Sequence, residues 1–375
     1  MKKVLFLIPS LAHGGAEKVL VNLVNNMDKS KFDITVQTIF DVGINKQFLS
    51  KNIKYKTHYK KQFPGNSKYL CLYSPEKLFK KFIKAHYDVI VSYLEGPTAR
   101  IVSGCTDEDT KLVSWIHCRM ETEKEAYVGF RSFIEAKKCY GRFDNTVCVS
   151  KMTMNYFKNT MSFDRPIEVL YNTIETDEVW KKSLEPVEDV VFENDVFNIC
   201  SVGKVTKVKG FERLASIHKR LLDNGINNHI YILGIGEQQA EIERHLSENN
   251  IDDTFTFLGY RTNPYKYVAK CDLYVCSSYS EGFSTSVTEA LIAGTPIVTT
   301  NVSGMTEMLG ENNEYGIVTE NSEESLYNGI KTMLTTAGML EEYAVKAKER
   351  GKDFSTEKTT KAVENMLIKL CEKND

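Results

Sequence analysis

Short apolar runs that recur with helical stretches between them constrain this chain more than any other feature, because a strand covered on both faces reads as continuous hydrophobicity. Val4 to Ile8, Asp33 to Ile39, Asp88 to Ser92, Lys111 to Ile116 and Asn145 to Val149 form one such series. A second runs through Phe197 to Val202, His229 to Leu233, Thr254 to Leu258, Leu273 to Cys276 and Pro296 to Thr299, with helical patterns over Phe211 to Leu222 and Glu237 to Glu248. Between the series, a polar and acidic stretch from about Val169 to Asp195, carrying Pro186 and few helical signals, reads as the linker. Two doubly wound α/β domains in tandem follow. The expected division is 1–180 and 181–355; the helical pattern Thr356 to Cys371 comes after the second sheet and could pack back on either domain, with a return of 356–375 to the N-terminal one as the option carried forward.

At 375 residues, 42% hydrophobic and 26% charged, the chain can bury sizeable cores and is not of disordered composition. Its nine cysteines are an odd set with no C-x-x-C pair, which argues against a disulfide framework or zinc ribbon and for reduced thiols in the cytoplasm. Met1-Lys2-Lys3 before Val4 to Ile8 has the look of a signal peptide, but Pro9, Gly14 and Gly15 break the apolar stretch early, and a buried first strand is the better reading. No apolar run approaches the roughly eighteen residues of a spanning helix.

Net charge is −2, yet residues 1–180 hold 27 basic against 20 acidic side chains, and the first hundred hold 17 against 7. The bias is too diffuse for a nucleic-acid footprint, and no helix-turn-helix spacing, RNP motif or zinc finger accompanies it. An anionic surface, such as a bilayer or a phosphorylated acceptor, fits better. The place to look for acceptor or membrane contact is Lys51 to Tyr69, six lysines interleaved with Tyr55, Tyr59, Phe63 and Tyr69, with an irregular solvated loop as the equal alternative. The helix expected over Pro75 to His86 reads as an ordinary amphipathic element.

In doubly wound sheets ligands bind outside the carboxyl ends of the strands, and two facing sheets make the cleft between them the natural site. After the first strand, Gly14-Gly15-Ala16-Glu17 could bring backbone N–H groups to an anion at a helix start, or merely make a tight turn. After Val202, the run Gly203-Lys204-Val205-Thr206-Lys207-Val208-Lys209-Gly210-Phe211 can set ammonium groups around a diphosphate, without Walker A spacing; a solvated basic loop is the alternative. After Cys276, a loop presents Glu281-Gly282-Phe283, a helix opens near Ser284-Thr285-Ser286, and Glu289 follows on it. Two carboxylates flanking a phosphate-binding helix start can grip a sugar and a ribose; a surface Glu and a helix-dipole Glu would have the same spacing.

These motifs together resemble a GT-B glycosyltransferase of the large retaining family 4, from Gly14-Gly15-Ala16-Glu17 through Lys209-Gly210-Phe211 to Glu281-x7-Glu289 and Ala293-Gly294-Thr295-Pro296. The resemblance implies two Rossmann-like domains facing across a cleft and transfer of a hexosyl or N-acetylhexosaminyl unit from a nucleotide sugar. UDP is the expected carrier and a saccharide or lipid-linked molecule the expected acceptor, in surface glycan synthesis at the cytoplasmic face of the membrane. Anomeric configuration would be retained, with no cofactor and no metal.

By the same resemblance Glu281 contacts donor-sugar hydroxyls and Glu289 the ribose. Lys209 and Lys204 neutralise the diphosphate; at Lys204 the family usually has Arg, so the bidentate fork is lost. The N–H groups of Ser284 and Thr285 complete the phosphate cradle with Gly203, Gly282 and Phe283 around it, and Gly14 and Gly15 approach from the first domain. His117, in Trp115-Ile116-His117, reads alone as structural and by resemblance touches the donor sugar. Tyr260 and Arg261 stand where the family seats the base. Tyr171-Asn172-Thr173 departs from the family's Asn-Gly. Asp107-Glu108-Asp109 is a D-x-D string of the kind that holds a metal in the other glycosyltransferase fold, and is read here as a solvated loop. The alternative from another class is a non-catalytic GT-B partner subunit that binds nucleotide or glycan.

Overall fold

The computed structural model describes residues 1–12 and 14–372, in two compact units: Met1–Ile174 together with the C-terminal segment from Thr356, and Glu175–Ser355. The first is built on a seven-stranded sheet of β1 (Lys2–Ile8), β2 (Phe32–Phe40), β3 (Lys54–Tyr59), β4 (Val89–Ser92), β5 (Lys111–Ile116), β6 (Asn145–Cys148) and β7 (Ile167–Val169), in the order β3-β2-β1-β4-β5-β6-β7. The second carries β8 (Phe197–Val202), β9 (Asn228–Leu233), β10 (Phe255–Gly259), β11 (Leu273–Cys276), β12 (Ile297–Thr300) and β13 (Ile317–Thr319), in the order β10-β9-β8-β11-β12-β13. Every pairing is parallel, as in Lys2↔Phe32 through Ile8↔Thr38 and Phe197↔Asn228 through Val202↔Leu233.

Parallel pairing explains the unbroken apolar runs. Val4, Leu5, Phe6, Leu7 and Ile8 are all fully buried, because helices cover both faces of the sheet. Each such side chain contributes roughly 1.5–3 kcal/mol relative to exposure. The strand order reverses direction between β1 and β4 in one sheet and between β8 and β11 in the other. Loops leaving the carboxyl ends of those pairs are where a doubly wound sheet receives ligand.

Three strands escape the sequence reading. β7 and β13 are three residues each, too short to show a period. β3 lies inside the stretch given to a solvated loop or a membrane contact, and it forms because an edge strand tolerates outward lysines. Its aromatic neighbours turn inward: Tyr59, Phe63, Tyr69 and Tyr73 pack against the first core, with Phe63 5.6 Å from Tyr59 and 5.7 Å from Tyr69. Lys81 Nζ caps the group, 5.1 Å from the Tyr69 ring centre and 5.2 Å from that of Tyr73. These rings are therefore half-buried against the core, whereas all six lysines of the stretch face water.

The expected linker is also partly structured. β7 occupies its start, and Thr176–Ser183 is a helix of the second unit that buries Val179 against helices Tyr265–Val268 and Thr285–Ala293. Its polar sequence hides a helix held by tertiary packing rather than by propensity. The helix over Pro75 ends at Phe82, four residues early, because Ile83 is extended (φ −115°, ψ 112°). The C-terminal helix Thr356–Cys371 packs on helix Gly15–Asn26 in the first unit, where the Thr356 hydroxyl donates to Ile174 O at 2.7 Å and Asp28 N to Glu364 Oε1 at 2.5 Å. Among the described residues, no helix is long and apolar enough to cross a membrane.

Candidate functional site

In the second unit the loops after β8 and β11 are stitched to each other. The chain leaves β8 at Gly203, turns through Lys207–Lys209 and reaches Gly210, whose φ of +63° starts helix Phe211–Asp223. A Cβ on Gly210 would lie 2.2 Å from Ser277 O, so only glycine lets the two loops approach. The Ser277 hydroxyl donates to Lys209 O (2.8 Å), and Tyr279 N donates to Val208 O (2.8 Å).

That seam brings Lys209 and Glu281 together, with Nζ 2.5 Å from Oε1. The same oxygen accepts the Ser278 hydroxyl at 2.6 Å. Burial works to lower the Lys209 pKa, but the Glu281 carboxylate outweighs it and the net shift is upward, so the ammonium stays charged. The aliphatic stem of Lys209 lies over Gly203, with Cε 3.3 Å from where a Cβ would stand. Lys204 is exposed.

Gly282 leads to Phe283, which is buried against Phe354 with ring centres 6.0 Å apart and fixes the loop. Ser284 caps helix Thr285–Ala293, its hydroxyl accepting from Val287 N at 3.4 Å. The cap holds one first-turn donor, and the N–H groups of Thr285 and Ser286 have no partner inside the helix, as at any helix start. Glu289 lies one turn further in, 8% exposed, and accepts the Tyr265 hydroxyl at 3.2 Å. Tyr260, after β10, is 61% exposed. Arg261 is engaged: its guanidinium pairs with Asp189 at 3.1 Å and lies 5.7 Å from the Tyr267 ring centre, while Tyr267 donates to the same carboxylate.

Two features of this neighbourhood escape the sequence reading. Gly234-Ile235-Gly236, after β9, runs against the β8 loop so closely that a Cβ on Gly234 would lie 1.8 Å from Gly203 O. Paired glycines after an apolar run are a signal that could have located it. The other is Arg213, 3% exposed, which donates from Nε to Ser277 O at 2.7 Å and from Nη2 to Ser278 O at 2.7 Å. A single arginine on a helical pattern carries no such signal.

In the first unit, Gly14 caps helix Gly15–Asn26, and the Glu17 carboxylate folds back so tightly that its Oε2 would be 2.0 Å from a Cβ there. His117 follows β5, 8% exposed, with Nε2 lacking a hydrogen-bond partner among the described residues. Its ring lies 4.9 Å from Tyr93 and 6.4 Å from Trp115, and its backbone N–H donates to Glu95 Oε2 at 3.0 Å. Burial pushes the imidazole down to about 4, against the opposing pull of Glu95 and of a bond to the Tyr93 backbone. Asp107 of the D-x-D string is occupied by His86 (2.8 Å), Asp109 N and Thr110. Among the described residues, no group of three or more His, Cys, Asp or Glu side chains is arranged to hold a metal ion.

Comparison with known proteins bears on both units. Residues 13–178 match the model of Glycosyltransferase Family 4, and residues 187–353 that of Glycosyl transferases group 1. The chain belongs to the group 1 glycosyl transferases. Among its relatives is the N-acetylgalactosamine-N,N'-diacetylbacillosaminyl-diphospho-undecaprenol 4-alpha-N-acetylgalactosaminyltransferase of Campylobacter jejuni, 34% identical over 203 residues, which are 54% of this chain and 53% of that enzyme. The match thus spans about half the length of that relative. An uncharacterized glycosyltransferase of Haemophilus influenzae is 23% identical over 96% of this chain and 98% of its own. Of solved structures, Anabaena HepE in complex with UDP has a TM-score of 0.76 at 17% identity, covering 98% of this chain and 100% of that one. Sucrose-phosphate synthase from Thermosynechococcus elongatus has 0.79 at 15%, covering 99% of both. At that identity the likeness establishes the fold, which is GT-B with two parallel-sheet α/β domains.

Proposed function

We propose that this group 1 glycosyl transferase moves a hexosyl or N-acetylhexosaminyl unit from a UDP-sugar to a saccharide or lipid-linked acceptor, with retention and without a metal, in surface glycan synthesis. The observation that carries the reading is the Lys209–Glu281 pair beside the Ser284-capped helix start, at the strand-order reversal of the second sheet. Ammonium charge and an open helix N-terminus suit a diphosphate, and a carboxylate next to them suits sugar hydroxyls.

In this reading Lys209, helped by the exposed Lys204 and the N–H groups of Ser284 and Thr285, stabilises the negative charge that grows on the departing diphosphate. Oriented charge of this kind commonly lowers a barrier by several kcal/mol. Glu281 exchanges its Lys209 and Ser278 partners for donor-sugar hydroxyls, and Glu289 holds the ribose. Gly203, Gly282 and Phe283 shape the loops around the phosphates, and Tyr260 with Arg261 borders the base. His117, Gly14 and Gly15 of the first unit are assigned donor contacts on the family resemblance alone. The departing phosphate takes the acceptor proton on the face it leaves, so no separate carboxylate base is assigned. The Campylobacter relative acts on a diphospho-undecaprenol glycan and forms an alpha linkage, which supports a lipid-linked acceptor and work at a membrane face, here assigned to the cytoplasmic side.

A panel of nucleotide sugars tested by thermal shift decides the donor. The cognate one, at about 100 times its Kd, should add roughly 2.7 kcal/mol of stability. With that donor, Lys209→Ala should lower kcat at least about tenfold, equivalent to about 1.4 kcal/mol of lost transition-state stabilisation. Absence of any shift across UDP-sugars, or wild-type turnover in Lys209→Ala, would overturn the reading.

A further inference from the structure

Arg213 touches none of the groups assigned above to donor, yet it fixes the backbone that carries them. Its guanidinium is buried under the loop Ser277–Tyr279, donating to Ser277 O and Ser278 O and, through Nη1, to Asn321 Oδ1 at 2.9 Å. Its Cζ lies 4.0 Å from the ring centre of Tyr279. The Thr300 hydroxyl makes a second bond to Ser278 O at 2.7 Å, and Asn321 Nδ2 reaches Tyr279 O at 3.0 Å. Three consecutive carbonyls are thus claimed on one side of the loop.

The other side of the same residues faces the site. The Ser278 hydroxyl donates to Glu281 Oε1, and the Ser277 hydroxyl donates to Lys209 O. A rotation of either peptide would move both the carboxylate and the lysine turn. A planar fork that reaches two carbonyls at once holds both peptides, whereas an ammonium group reaches one at a time.

We infer that Arg213 is a positioning residue, which sets Glu281 against Lys209 through the Ser277 and Ser278 carbonyls and so acts on the chemical step more than on nucleotide affinity. The inference rests on the proposed transferase reading. Arg213→Lys keeps a buried cation and is the variant of choice; Asn321→Ala, which removes only the acceptor of Nη1 and the donor to Tyr279, is the milder second variant should Arg213→Lys fail to fold. The measurements are kcat and KM with the donor found by the nucleotide-sugar panel, the Kd of free UDP by calorimetry, and the thermal midpoint.

The expected result is a fall in kcat of tenfold or more for Arg213→Lys and about threefold for Asn321→Ala, with a smaller loss of UDP affinity in each, since Lys209 also meets the diphosphate. Unchanged kcat in both variants would overturn the assignment. So would a loss of UDP affinity as large as the loss of kcat, which would mean that Arg213 merely keeps the domain folded. Failure of the unaltered protein to bind UDP or turn over any donor is a different outcome: it would sink the transferase reading, and the positioning role with it.

Discussion

His117 and His218 are both buried histidines of parallel α/β units, and burial drives both imidazoles down to about 4. They differ in their partners. His218, on helix Phe211–Asp223, has Nδ1 2.7 Å from Asn228 Oδ1 and Nε2 2.8 Å from Thr254 Oγ1. Asn228 gives its own amide N–H to Ile226 O, so its Oδ1 is left to accept from Nδ1, and Nε2 accepts the Thr254 hydroxyl. His117 keeps Nε2 unpartnered among the described residues. Desolvation alone does not distinguish the two rings; the completeness of their hydrogen bonding does, and it is the difference against which the donor contact proposed for His117 can be tested.

The strongest way to break this comparison is to remove the satisfied ring. His218→Ala would leave the buried Asn228 Oδ1 without the Nδ1 partner and open a cavity, at a cost of about 3 kcal/mol. Urea unfolding should report that loss, while kcat measured well below the unfolding transition should stay within about twofold. A large kcat defect with intact stability would place His218 in the machinery and erase the distinction.

The converse variant has a smaller effect of a different kind. His117→Ala removes a ring with no partner to strand at Nε2, so catalysis should fall by about thirtyfold, or roughly 2 kcal/mol, if that nitrogen meets the donor sugar. The thermal midpoint should move less than in His218→Ala. If the two variants lose equal stability and His117→Ala keeps its kcat, His117 is a core residue and the family resemblance has been carried too far.

Sequence patterning made the buried strands legible because double-sided burial demands apolar runs, as at Val4–Ile8 and Ile230–Leu233. It hid the edges, since Lys54–Tyr59 pairs on one side only and can keep its lysines in water. The charged motif residues Lys209, Glu281 and Glu289 were legible because each follows a strand in a spacing that resembles a family, and the structure brings Lys209 to Glu281 across 72 positions. Arg213 was not, because its meaning lies in two carbonyl oxygens, and a backbone acceptor leaves no trace in side-chain identity. Arg261 shows the reverse. Its place after a strand pointed to the base, whereas its bond to Asp189 depends on where the chain runs between Ser183 and β8, a region whose polar sequence reads as featureless.

Acid supplies the last and finest separation. A group whose pKa is depressed by folding contributes stability that is complete above its unfolded value and lost as pH falls toward its folded value. Both histidines go from 6.5 to about 4, so each should cost the protein about 2 kcal/mol between pH 7 and pH 5, and His218→Ala should show a correspondingly weaker acid dependence in urea unfolding. Catalysis should not follow the same curve. A neutral Nε2 accepting a sugar hydroxyl keeps its lone pair down to about pH 4, so His117 should put no break in kcat/KM between pH 5 and pH 8. A break near 6.5 that disappears in His117→Ala would mean that the ring titrates like a solvated imidazole, and that the burial from which the comparison starts does not hold in the working enzyme.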